Sequence, residues 1–265
     1  MMYRYQAMPE EARRLANWLR RVKGEWISLA EALPLRRDMV TLLTYLRDNR
    51  VTGTQSTGNL TLKAVREVTA RFVNPPELDV AIGDHVYRLR SEYDVWPLYF
   101  LHTLAHVAGL LEGGPSRRWR LTSRGDQFLR LDPLGQVWFL LLTWWEGVNW
   151  LIAFPFAGMG EDLPSDFEEI TLTHLLALPV DTLVSFEPFA DDLIQEAGLK
   201  WGEQAAPYGR ELLHAAIRQM VIDILADFGI VEPKHEAGLL GDEYPDLVAF
   251  RITPFGRWLL EALRV

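Results

Sequence analysis

Apolar positions crowd most densely at residues 137–156 (VWFLLLTWWEGVNWLIAFPF), where polar side chains almost vanish. Wound as a helix, 137–153 places Thr143, Glu146, Gly147 and Trp150 on one narrow stripe. Trp138, Phe139, Leu141, Leu142, Trp145, Leu151 and Ile152 cover the rest. A helix apolar nearly all round is buried on several sides. The stretch approaches the roughly 20 residues that cross a bilayer. Glu146 and Asn149 lie mid-span, however, Pro155 follows, and neither end has a basic flank, so a core or dimer-interface helix is expected and not a membrane span.

Helical spacing recurs on both sides of this stretch. Residues 9–33 carry Ala12, Leu15, Trp18, Leu19, Val22 and Trp26 at helical intervals, with Pro34 closing the element and Asp38 placed to cap a second helix through residue 47. Residues 51–60 read as a short strand and turn, and 61–72 as a helix that Pro75-Pro76 stops. An extended excursion follows at 77–90, then a very apolar helix at 93–108 ending on Gly109, a β-hairpin at 110–122 and a short helix at 126–131. Past a connection at 157–164, Ser165 and Glu168 have capping-box spacing. The second half then repeats the order: helices at 172–178, 189–199 and 210–228, a hairpin at 230–252 and a terminal helix from Pro254.

Two segments align residue for residue. Gly109-Leu110-Leu111-Glu112 answers Gly229-Ile230-Val231-Glu232, and Arg120-Leu121-Thr122 with Gly125 and Leu129 answers Arg251-Ile252-Thr253 with Gly256 and Leu260. In each, a helix ends on glycine, a strand leaves and returns, and a threonine is placed to cap the next helix while a glycine lets helix and strand approach closely. This pattern, a strand ending in Leu/Ile-Thr-x-x-Gly after a helix and a short apolar strand, resembles the wing and following helix of winged helix-turn-helix transcriptional regulators. The resemblance covers about half of each copy, and the excursion at 77–90 departs from it. It implies a mainly α, α+β protein with small β-hairpins: an N-terminal helix at 1–38, a first winged-helix-like unit at 39–131, the central apolar helix and connection at 132–164, and a second winged-helix-like unit at 165–265. It also implies a homodimer.

Charge divides the halves. Residues 1–131 carry 20 Lys and Arg against 14 Asp and Glu, a net of +6, whereas 132–265 carry 7 against 22, a net of −15. A polyanion is drawn to the first half and repelled by the second. Cysteine is absent, which removes disulfides, thiolate metal sites and cysteine nucleophiles. No basic start with an apolar run and cleavage site leads the chain, so a cytoplasmic location is expected.

Candidate chemistry follows the charge. Arg117, Arg118, Arg120 and Arg124 surround the Gly-Gly-Pro-Ser wing tip, and Lys63, Arg66 and Arg71 lie on an earlier helix, so these seven are the expected phosphate contacts, against the plainer reading of a solvated charged hairpin. The helix that should read bases starts with Glu92 and Asp94, which would repel a groove, and offers few donors beyond His102 and His106. Those histidines have zinc-compatible spacing but no third ligand, so packed histidines are favoured and no metal or cofactor is expected. The acidic cluster Glu161, Asp162, Asp166, Glu168 and Glu169 lacks calcium-loop spacing, and Gly158-Met159-Gly160 lacks the lysine of a phosphate loop. No catalytic constellation emerges. The expected function is therefore a non-enzymatic, regulator-like protein holding duplex DNA through its N-terminal half. The alternative is a protein-interaction module of the same fold that binds no DNA and meets a partner through its acidic C-terminal half.

Overall fold

Prolines and threonines decide where helices start. In the computed structural model, which describes residues 24–82, 85–154, 163–201, 208–238 and 241–264, helix α1 spans Gly24–Ala32 and α2 spans Pro34–Asp48. Pro34 therefore opens α2 instead of only closing α1, since a first-turn residue needs no N–H partner and its fixed φ already suits a helix. Asp38 caps nothing: it is buried inside α2, and its carboxylate accepts from Val73 N–H at 2.8 Å. The expected first helix before residue 24, the connection at 155–162 with its three-residue glycine motif, and Glu161 and Asp162 lie outside the described residues.

The chain divides into two compact units, Met1–Gly147 and Val148–Val265. In the first, α2 is followed by an extended segment whose Thr52 bridges Arg118, then by α3 (Leu62–Thr69), capped by Thr61. The excursion is a small hairpin of β1 (Val80–Ile82) and β2 (His85–Tyr87), followed by a short 3-10 turn at Glu92–Asp94. Helix α4 (Trp96–Val107) leads into the hairpin β3 (Leu111–Gly114) and β4 (Arg117–Leu121), and α5 (Ser123–Phe128) follows. Met39, Leu42, Leu43 and Leu46 of α2 and Leu98, Leu101 and Leu104 of α4 are almost fully enclosed. Each such side chain contributes about 1.5–3 kcal/mol of burial energy.

The tryptophan-rich stretch is not one rod. Helix α6 (Pro133–Leu142) continues into wider π-type spacing over Thr143–Gly147. The chain then breaks, and Asn149 accepts from Leu151 N–H to start a separate 3-10 turn at Trp150–Ala153. The division between units falls inside this stretch. Trp138, Trp144, Trp145 and Trp150 are all buried.

In the second unit α7 (Phe167–Ala177) starts after Asp166 with no side-chain cap, so Ser165 does not play its expected part. Strand β5 (Val184–Ser185), α8 (Phe186–Glu196), and α9 (Gly209–Ile217) come next. Helix α9 runs through π-spaced Arg218–Asp223 into α10 (Ile224–Asp227). Strands β6 (Val231–Gly238) and β7 (Gly241–Ile252) and helix α11 (Pro254–Leu263) complete it. The sheet order is β5-β7-β6, with the last strand central; in the first unit β4 likewise lies between β3 and the bridging Thr52. Both units are α+β and share a partial order of elements, helix, short extended segment, two helices, hairpin, helix, to which the first unit adds α1, the β1-β2 hairpin between its two helices, and α6.

The aligned segments also match bond for bond. Thr122 Oγ1 donates to Gly109 O at 2.7 Å and accepts from Gly125 N–H at 3.1 Å; Thr253 Oγ1 donates to Gly229 O and accepts from Gly256 N–H, both at 2.8 Å. Gly109 and Gly229 have φ of 67° and 68°, the left-handed C-terminal turn that favours glycine. A Cβ on Gly125 would meet Leu110 O at 2.4 Å, and one on Gly256 would meet Ile230 O at 2.0 Å.

Candidate nucleic-acid interface

Alternation along β4 turns Trp119 inward and its neighbours Arg118 and Arg120 outward, while Arg117, on the face of Trp119 but at the tip, is also exposed. Trp119 anchors the β3-β4 hairpin from beneath. Its Nε1–H donates to Gly58 O at 2.7 Å, and its ring fills the space that a Cβ on Gly113 would occupy, 2.3 Å from Trp119 Cδ2. Register shifts between Glu112 and Gly114, so the tip turns through Pro115 and Ser116 with Gly114 opposite Arg117.

The seven expected phosphate contacts separate into two groups. Arg120 meets Glu112 at 3.2 Å across the hairpin, Arg66 binds both oxygens of Asp79 at 3.0 and 3.1 Å, and Lys63 lies 3.8 Å from Glu67. The Arg66 contact, with the N–H of Leu89, holds the Asp79 carboxyl below the usual carboxylate range. Arg71 lies over the Tyr45 ring at 5.2 Å, and Arg124 over the Phe139 ring at 5.1 Å. These five have roles in packing or pairing. Arg117 and Arg118 carry no ion pair among the described residues and stand exposed at the tip.

Behind the β3-β4 hairpin lies a set of residues that helical periodicity alone does not assemble. Glu92 is 1 % exposed, so it presents no charge to a groove, contrary to expectation. Its carboxylate accepts from Leu60 N–H at 2.5 Å and contacts His102 Nδ1 at 2.6 Å. Asp94 is also occupied, accepting from the N–H groups of Arg90 and Ser91 to cap the turn before α4. The His102 ring meets Trp119 edge to face at 4.3 Å, and His106, one helical turn on, meets it at 5.4 Å. Burial, and then the neighbouring His102, holds His106 below the usual imidazole range. No third His, Asp or Glu joins them as a metal-binding group among the described residues.

Between α4, the 54–59 turn and the β3-β4 hairpin is a cavity of about 330 Å³ lined by Asn59, Glu92, Tyr99, His102, His106 and Trp119. A second, of about 250 Å³, adjoins it past Tyr93 and reaches Arg90. Tyr93 is 52 % exposed and packs on Tyr99 with ring centroids 4.6 Å apart. The spacing of Tyr93, Trp96, Tyr99 and His106 along one helical face was the available signal for this surface. In the second unit a cleft of about 680 Å³ is lined instead by Glu187, Glu211 and Asp246, with His214 and Arg218. No helix among the described residues is long and apolar enough to cross a membrane. No family model matches this chain, and no curated protein or solved structure matches it.

Proposed function

We propose that the chain is a tandem winged-helix protein of the regulator-like, non-enzymatic kind that contacts nucleic-acid phosphate through its first wing. Support for the fold comes from the shared order of elements, the sheet order with the last strand central, and the matching threonine and glycine bonds that close each hairpin. The observation that carries the function is the pair Arg117 and Arg118, exposed at the hairpin tip without an ion pair among the described residues, while Arg66 and Arg120 face carboxylates and Arg71 and Arg124 lie over rings. The first unit carries 20 Lys and Arg against 16 Asp and Glu, and the second 7 against 20, which directs a polyanion to the first. Of the original seven candidates, Arg117 and Arg118 are the primary contacts and Arg120, Arg124, Lys63, Arg66 and Arg71 chiefly shape the surface.

Binding is tested by fluorescence anisotropy of a labelled duplex between 50 and 200 mM salt. Each lost phosphate contact flattens the logarithmic salt slope by about one, so Arg117→Ala with Arg118→Ala reduces it by about two. Wild-type protein that binds no nucleic acid at 50 mM salt refutes the proposal.

A second reading has its own observation. The acidic cleft with Glu187, Glu211 and Asp246 fits a basic segment of a protein partner. Replacing Glu187 and Glu211 by Lys abolishes such an interaction and leaves duplex binding intact, as measured by titrating a lysine-rich peptide against each variant.

A further inference from the structure

We infer that the aromatic groove between α4 and the first wing holds unpaired nucleotides of a single nucleic-acid strand, with bases in the two adjoining cavities and phosphates on the arginines at either end. The inference rests on the phosphate-contacting wing and goes beyond it by naming the form of nucleic acid. Three observations on different elements carry it.

First, α4 is unsuited to reading a duplex. Its enclosed face is committed to the core, and its remaining stripe offers Trp96, Tyr99, Thr103 and His106 with no arginine or lysine. Bidentate reading of base edges in a major groove uses Arg, Lys, Asn or Gln, none of which this helix has. Second, what the stripe provides is ring faces. Tyr93 stands half exposed between cavities of about 330 and 250 Å³, and Tyr99, His106 and Trp119 line the larger one. Aromatic faces accept any base by stacking, provided that base has left its own stack. Third, cations flank the groove. Arg90 lines the smaller cavity, and Gly114 and Pro115 line the larger one, with Arg117 paired to Gly114 across the hairpin. Arg117 shares its strand face with Trp119 because side chains alternate along β4, and it is exposed at the rim beyond Gly114 and Pro115, outside the cavity lining itself. Neither Arg90 nor Arg117 carries an ion pair among the described residues. The two carboxylates nearest the groove are held by hydrogen bonds: Glu92, which lines both cavities, accepts from Leu60 N–H and contacts His102, and Asp94 accepts from the N–H groups of Arg90 and Ser91 in the cap. A basic track lined with stacking platforms is the general design for unpaired strands.

The test compares three labelled ligands by anisotropy at 50 mM salt with the full chain: a twelve-residue oligothymidylate or its RNA counterpart, an abasic strand with the same phosphates, and a twelve-pair duplex. The base-bearing strands bind about tenfold more tightly than the abasic one. Tyr93→Ala removes that preference and leaves duplex affinity within twofold, while Tyr93→Phe, which keeps the ring, retains it. Tyr93 is exposed, so the alanine variant keeps the wild-type circular dichroism spectrum. DNA and RNA strands binding equally places recognition on base and phosphate; a tenfold RNA preference adds the 2′-hydroxyl and supports the same groove. Equal affinity for base-bearing and abasic strands overturns this inference and leaves the wing proposal standing. Absence of binding to all three ligands overturns both.

Discussion

Thr253 bridges the end of α10 and the start of α11 with one oxygen, and removing that oxygen has a calculable cost. Thr253→Ala deletes the acceptor that caps Gly256 N–H, worth about 1 kcal/mol, and the donor to the half-buried Gly229 carbonyl, worth about another 1 kcal/mol. The total of about 2 kcal/mol reduces the folded-to-unfolded ratio roughly 30-fold and lowers the melting temperature of a unit of this size by about 8 °C. Thr253→Ser keeps both bonds, at 2.8 Å in the parent, and stays within about 0.5 kcal/mol of it. Thr122→Ala, with bonds of 2.7 and 3.1 Å in the equivalent place, matches the cost of Thr253→Ala to within about 1 kcal/mol. Urea unfolding followed by circular dichroism gives each value. An alanine variant as stable as its parent, or a serine variant as damaged as the alanine one, refutes the reading of threonine as a two-bond clamp.

Two further predictions address charge. Glu92→Ala leaves Leu60 N–H and the buried His102 without their shared acceptor and lowers stability by about 1–3 kcal/mol for each group left without a partner, measured by urea titration, more than Asp79→Ala on the exposed Arg66 pair. Asp191, bonded first by Arg210 and then by His214, has its carboxyl lowered from 3.8 to about 2. Its folded form thus binds a proton less readily than its unfolded form, so the contribution is full above pH 3.8 and lost as pH falls through about 2. Melting temperatures measured from pH 5 to pH 2 therefore fall less steeply for Asp191→Asn than for the parent.

What the sequence disclosed depended on how local the responsible physics is. Thr122, Thr253, Gly109 and Gly229 act on backbone groups through turns and caps that recur wherever such residues do, so the repeated hairpin closure was readable from two aligned segments. Pro34 was ambiguous because a proline both ends one helix and starts the next. The long apolar stretch reads as continuous since hydrophobicity reports burial and not backbone continuity; Asn149, a good cap, is the clue to the break. Among the basic residues, no spacing rule could reveal that Arg66 meets Asp79, 13 positions on, or that Arg124 lies over Phe139, because those partners are set by tertiary packing. Glu92 was assigned to the surface for the same reason: its partners Leu60 and His102 come from other elements.

The clamp at each hairpin fixes where its strands leave and return but not how far they travel between. From Leu111 to Leu121 the first excursion takes 11 residues, and from Val231 to Ile252 the second takes 22, on ends with the same bonds. Doubling a closed loop costs only about 0.6 kcal/mol of chain entropy. Excursion length is therefore nearly independent of the closure: the same two bonds hold ends joined by 11 or by 22 residues, whereas a single methyl on Gly125 or Gly256 would meet a carbonyl oxygen at 2.4 or 2.0 Å, so one chassis can carry hairpins of different reach on an unchanged base.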